Sequence, residues 1–348
     1  MAHRKPRVRS GVLGIAVVAA LMGLVVSPLG AAGKEHARQL ETPNASDLRF
    51  GYGAGIDAKA ASANDRNDGP RPTTRAFRVA SGEEVRIGVS PAYSFDAARL
   101  QAWADFIGSL LHGSELGAVS FYFAPPSEIA EACGPHAAAC YYASVLPMIF
   151  TPGEDLPGLL TAEAILAHEY GHHVSNSRPN PPWGALFYGT KRWASYVNVC
   201  AAVLAGQYFP GDGGEHYALN PSEGFAEAYR VANQRRLGVP EAPWRLVDPA
   251  FYPDATAGAL IERDVVDPWA AHTSVTYRGR FTRAGPSRLT FDVSTALDGI
   301  ATASVRAPKG ARFRVSQTMS TVCGQRTTYF TVRRVKGFGR FELVVSRP

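Results

Sequence analysis

The sequence predicts an α+β domain over residues 76–265, followed by a small all-β, sandwich-like domain over 272–348. Three observations predict this. Residues 159–174 and 222–237 have helical composition, and strand-like runs precede the first of them. From about Ser274 the texture changes to alternation at Leu289/Phe291/Val293, Phe313/Val315 and Phe341/Leu343/Val345, with Gly and Pro between the runs. Formal charge also changes sign there. Residues 33–271 hold eighteen Lys/Arg against twenty-seven Asp/Glu, whereas 272–348 hold fourteen against three.

With 348 residues, 46% of them hydrophobic, the chain can bury one good core and support a second domain. Its first segment is a different matter. Arg4, Lys5, Arg7 and Arg9 precede an apolar run at 12–26, and Gly30-Ala31-Ala32 follows, which is the order of a signal peptide over 1–32. Export with cleavage near Ala32 is expected, and an uncleaved N-terminal membrane anchor is the alternative. Residues 33–75, rich in Ala, Asn, Asp, Gly and Pro, read as a disordered leader or pro-segment.

In the α+β domain, Glu84–Val89 alternates as a strand. A helix capped by Ser94 runs to about Leu111, with Leu100, Trp103, Phe106, Ile107 and Leu110 on one side. Residues 118–123 form a second strand and 127–132 a short helix. Residues 140–150 supply one or two more strands, with Pro147 demoting part of the run to an edge or bend. After the 159–174 helix, prolines at 179, 181 and 182 impose a loop. Residues 187–204 read as one helix with Trp193 and Val197 in the core. Asn220-Pro221 opens the last helix, with Pro in its first turn.

Four cysteines in an exported chain predict disulfides rather than a thiolate metal site, since no Cys-x-x-Cys occurs. Cys133 and Cys140 flank a short Gly-Pro loop that suits a local bridge. Cys200 and Cys323 are left to staple distant parts of the chain.

The chemistry centres on His168-Glu169-Tyr170-Gly171-His172. Residues four apart share a helix face, so His168 and His172 can offer imidazole nitrogens to one ion. Zinc takes such ligands and, in catalytic sites, keeps a position open for water. Glu169 lies one step round the helix, where a general base belongs. The bland reading is a helix C-terminus whose three histidines, His173 included, favour its negative end. Two histidines do not close a catalytic set. A third His six residues on is absent, because Arg178 stands there, and Gly189-Thr190 is followed by Trp193 where an Asp ligand would be needed. Glu223-Gly224-Phe225-Ala226-Glu227 instead puts two carboxylates on one helix face. Either can be the third ligand, and Glu223 also fits a capping box with Asn220.

On these two stretches the chain resembles the gluzincin metallopeptidases, and within them the lethal-factor-like group. The resemblance implies a zincin-like α+β catalytic domain with one zinc ion held by His168, His172 and Glu223. It implies Glu227 as the partner that orients a ligating histidine, His168. It further implies Tyr217 as the stabiliser of the oxyanion, with His216 beside it. Two departures stand out: Glu227 replaces the common Asp, and fifty residues separate His172 from Glu223.

The function expected is that of a secreted zinc endopeptidase, acting on peptide or protein substrates with Glu169 as general base. The competing class is a catalytically inactive zincin-like binding or adhesion protein at the cell envelope. The basic 272–348 domain adds an expected anionic cell-envelope polymer as partner. No nucleic-acid motif occurs, and Phe291, Phe313 and Phe341 alternate as core rather than as a stacking face, so specific nucleic-acid binding is not expected. The protein is expected to be a monomer.

Overall fold

The computed structural model describes residues 73–348 except Leu159 and Gln325. The expected signal peptide at 1–32 and leader at 33–72 lie outside the described residues. The chain is α+β with a β-rich C-terminal region.

Twelve strands and eight α-helices are described, with short single turns between some of them. Strands β1 (Thr74–Arg78) and β2 (Glu84–Val89) form an antiparallel hairpin. Helix α1 (Ala97–Ser109) then leads to β3 (Ser120–Phe123), and α2 (Pro126–Cys133) to β4 (Cys140–Tyr142) and β5 (Met148–Thr151). The sheet order is β1-β2-β3-β5-β4, with β2, β3 and β5 parallel and β4 antiparallel at the edge. Strand β1 begins at Thr74, so it includes the last two residues of the 33–75 segment expected as leader. Helix α1 is capped by Asp96, which accepts from the Arg99 amide, and not by Ser94. Pro147 falls just before β5, where its missing N–H costs no ladder bond.

Helix α3 (Ala162–Asn176), capped by Thr161, packs beside β4 and β5 and is buried along nearly its whole length. Its Leu166, Tyr170 and Val174 share one core with Ile87, Phe121 and Ile149 of the sheet. Helix α7 (Pro221–Leu237) packs against α3 and adds Phe225 and Tyr229 to that core. The two helices meet backbone to backbone at Gly171. A Cβ there would lie 2.9 Å from Ala226 Cα, too close for any side chain.

The expected single helix over 187–204 is three short ones, α4 (Ala185–Tyr188), α5 (Lys191–Tyr196) and α6 (Val199–Leu204). Gly189 and Asn198 break the run, Asn198 in the left-handed region at φ 57°. Trp193 is core as expected, stacked near Phe251 and edge-on to Phe225. Helix α8 (Ala255–Val266), which the sequence reading passed over, fixes this region from outside. Its Asp264 accepts from the backbone amides of Arg192 and Trp193 and from the Arg192 guanidinium.

The C-terminal region is a sandwich of two antiparallel sheets. One has the order β10-β8-β12-β6 and the other β7-β11-β9. The strands are β6 (Thr273–Phe281), β7 (Arg288–Ser294), β8 (Gly299–Arg306), β9 (Arg312–Val315), β10 (Met319–Val322), β11 (Thr327–Lys336) and β12 (Gly339–Arg347). Alternate residues of both sheets, Phe281, Phe313, Phe330, Phe341 and Leu343 among them, fill a single core. Both disulfides are present, Cys133–Cys140 and Cys200–Cys323. The second ties α6 to the turn between β10 and β11. Around it, Ser195 Oγ accepts from the Asp298 amide at 3.0 Å, and Arg326 donates to the Ser195 carbonyl.

Candidate metal centre

The crossing of α3 and α7 is an unlikely place for charge. It is apolar on its flanks, yet His168, Glu169, His172, Glu223, Glu227 and Arg230 are all 0% exposed within it. Buried charges persist only when paired, hydrogen-bonded or bound to a metal. The geometry shows how each is held.

His168 and His172, one turn apart on α3, direct their Nε2 atoms at the same carboxylate oxygen. Glu223 Oε2 lies 3.2 Å from His168 Nε2 and 3.3 Å from His172 Nε2. The donor atoms of His168, His172 and Glu223 all lie within 4.8 Å of one another, so this buried His-His-Glu group can hold a metal ion. Glu227 sits one turn further along α7, behind the His168 ring. Its Oε2 accepts from Nδ1 at 3.0 Å, which would leave the Nε2 lone pair for an ion held beside Glu223. The geometry therefore separates the two carboxylates that the sequence left as alternatives. The Glu223 side chain faces both imidazoles, and Asn220 caps α7 through the Ser222 amide instead.

Two partners were missed by the sequence reading. Arg230 closes on Glu227 through Nε at 2.9 Å and through Nη2, and its third nitrogen reaches Gln234. An i,i+3 acid–base spacing on α7 was the available signal. Ser222 Oγ lies 3.1 Å from His172 Nδ1 and does for that ring what Glu227 does for His168. Fifty positions separate Ser222 from His172 in the chain, so spacing could not announce the pair.

Charge supplies an independent test of the donor set. With neutral imidazoles, the three buried carboxylates of Glu169, Glu223 and Glu227 face one buried guanidinium, a local balance of −2 among the described residues. A divalent cation restores neutrality. Protonation answers the same demand in the metal-free arrangement: burial opposes charging His168, but hydrogen bonds to Glu223 and Glu227 outweigh it and raise its pKa to about 10. Desolvation likewise opposes the charge on Glu223 and Glu227. Even so, His172 and His168 for the first, and His168 and Arg230 for the second, hold both near 2. The other oxygen of Glu223, Oε1, is buried without a protein hydrogen-bond partner. The residues fit a divalent metal.

Tyr217 lies beside this group, its hydroxyl donating to Glu223 Oε2 at 2.9 Å. His216 turns elsewhere, bonding Asp212 at 2.7 Å and stacking on Phe209. The third histidine of α3, His173, is structural. It bridges the Tyr141 hydroxyl and the Glu115 carbonyl, and burial lowers its pKa. A separate groove of about 620 Å³ opens between α1 and the start of α3, lined by Trp103, Phe106, Arg99 and Glu163, but it includes none of the metal-centre residues.

The fold and the site thus define a protein with a buried two-helix His-His-Glu centre. No family model, no curated protein and no solved structure matches the chain.

Proposed function

We propose that the chain is a secreted zinc-dependent endopeptidase of the gluzincin kind. One observation carries the reading: two imidazoles four residues apart share a carboxylate from a second helix, and a buried glutamate, Glu169, follows the first of them. Support for the secreted part of the reading comes from two disulfides that call for an oxidising compartment. No helix among the described residues is long and apolar enough to cross a membrane.

A bound zinc ion would polarise a peptide carbonyl and acidify a water. The chain's own residues do the rest. His168, His172 and Glu223 hold the ion, with Glu227–Arg230 and Ser222 fixing the two rings. Glu169 accepts a proton from the attacking water as the new C–O bond forms. It delivers that proton to the departing amine nitrogen as the C–N bond breaks. Tyr217 exchanges its bond to Glu223 for one to the oxygen on which negative charge develops.

Glu169→Gln tests this directly. Metal content should be unchanged, while hydrolysis of an unfolded protein substrate falls about 10²–10⁴-fold. A variant that kept full activity would end the mechanism. The second reading, a scaffold that binds without hydrolysing, draws on the complete burial of the centre. It gains if the metal-loaded wild-type chain cleaves nothing in a broad peptide library.

A further inference from the structure

The basic residues of the sandwich are not spread evenly over it. The end that meets α5 and α6 is formed by the turns before β8 and β11 and by the C-terminus of β12. Of the fourteen Lys/Arg in 272–348, only Arg326 and Arg347 stand there. The other twelve lie toward the opposite end, where the β11–β12 hairpin turns. Glu342 is the acid on that side. Asp298 is buried at the near end, and Asp292 lies midway, paired in register with Tyr329.

Register makes the crowding specific. On the outer face of the three-stranded sheet, Arg333 stands directly opposite Arg288 on one side and Arg314 on the other. On the other sheet, Arg340 stands opposite Arg280. All five are exposed, and none has an ion pair with an acid among the described residues. Like charges directly opposed across strands destabilise a sheet. With strands about 4.8 Å apart, the three-arginine row spans about 10 Å. At the hairpin tip between these faces, Phe338 is 44% exposed and Val335 41%. Gly337, at φ +73°, lets the chain turn there, and the Arg334 guanidinium lies over the half-exposed Phe338 ring at 4.4 Å.

We propose that this far end of the sandwich docks on the anionic surface of a lipid bilayer, with the arginine rows against headgroup phosphates and Phe338 entering the interface. The charge alone would serve any polyanion. A half-exposed aromatic ring set among these cationic side chains favours a surface with an apolar layer beneath its charges. The anionic partner expected from the sequence is thereby narrowed to lipid. The claim stands apart from the peptidase reading, because binding is measured without substrate.

The test uses the full chain in flotation with vesicles of phosphatidylcholine alone, or with about one third phosphatidylglycerol. Wild type should bind the anionic vesicles only, and salt should weaken the binding. Arg288→Ala and Arg333→Ala should each weaken it about fivefold. Phe338→Ser should weaken it about tenfold, with the loss persisting at high salt. No binding of wild type to anionic vesicles would overturn the proposal, whatever the variants do. So would dextran sulfate binding as tightly as vesicles together with an unchanged Phe338→Ser, which marks a polymer-binding face.

Discussion

At the scale of single residues, Arg230 has the most to say, because it never approaches the ion-holding atoms. It neutralises Glu227 where both side chains are fully buried. Arg230→Met should strand that carboxylate and destabilise the fold by about 3–5 kcal/mol, read by urea unfolding. Through the loosened His168 ring it should also weaken metal binding about 10–100-fold in a chelator competition. Glu223→Ala should abolish binding in the same assay. Equal losses for Glu223→Ala and Glu227→Gln would show that the two carboxylates do not divide their work as described. The residues legible in the sequence were those whose partners lie one helical turn away, His168 with His172 and Glu223 with Glu227. Ser222 was invisible for the opposite reason, since only the crossing of α3 and α7 brings it to His172.

At the scale of elements, that crossing depends on Gly171 having no side chain. Gly171→Ala would drive its methyl against Ala226 and separate the helices that carry the ligands. The expected cost is about 1–3 kcal/mol of stability, with a parallel fall in metal affinity. Undiminished metal affinity would show the centre to be more tolerant of helix separation than the contact implies. Elements with strong local signals read well from sequence, α3, α7 and the alternating strands above all. The failures share a cause. Residues 187–204 are broken at Gly189 and at Asn198, both with positive φ, and the Asp264 carboxylate arriving from α8 then caps the segment between them. Tertiary contacts of that kind leave no periodicity to read.

At the scale of the whole molecule, two groups at the junction set its stability. The Cys200–Cys323 bridge closes a span of 123 residues. Its removal by Cys200→Ser with Cys323→Ser should cost about 2–5 kcal/mol, visible as a lower thermal midpoint. Lys191 is buried nearby, with its Nζ donating to the Pro181 carbonyl at 2.7 Å. Burial lowers its pKa to about 8, against the opposing pull of Asp298 and Asp264. An unfolded lysine keeps its proton to about 10.4. Between these values the unfolded chain binds more protons, so the Lys191 contribution to stability rises with pH across that window and is least favourable below it. Lys191→Met should flatten the stability profile between about pH 8 and 10. Identical slopes for wild type and variant would remove Lys191 as the cause.

The junction has one more consequence. A covalent bridge and a buried Asp298–Ser195 contact hold one end of the sandwich to the α+β unit, so the sandwich is a strut and not a tether. Its longest inner strand, β11, has ten residues and at about 3.3 Å per residue measures about 33 Å. With the far end resting on a bilayer, the metal centre would ride at a set height above it. On the proposed peptidase reading, substrates would then be sorted by how far their exposed segments stand from the membrane, a selection by altitude that needs no recognition of sequence at the cleavage point.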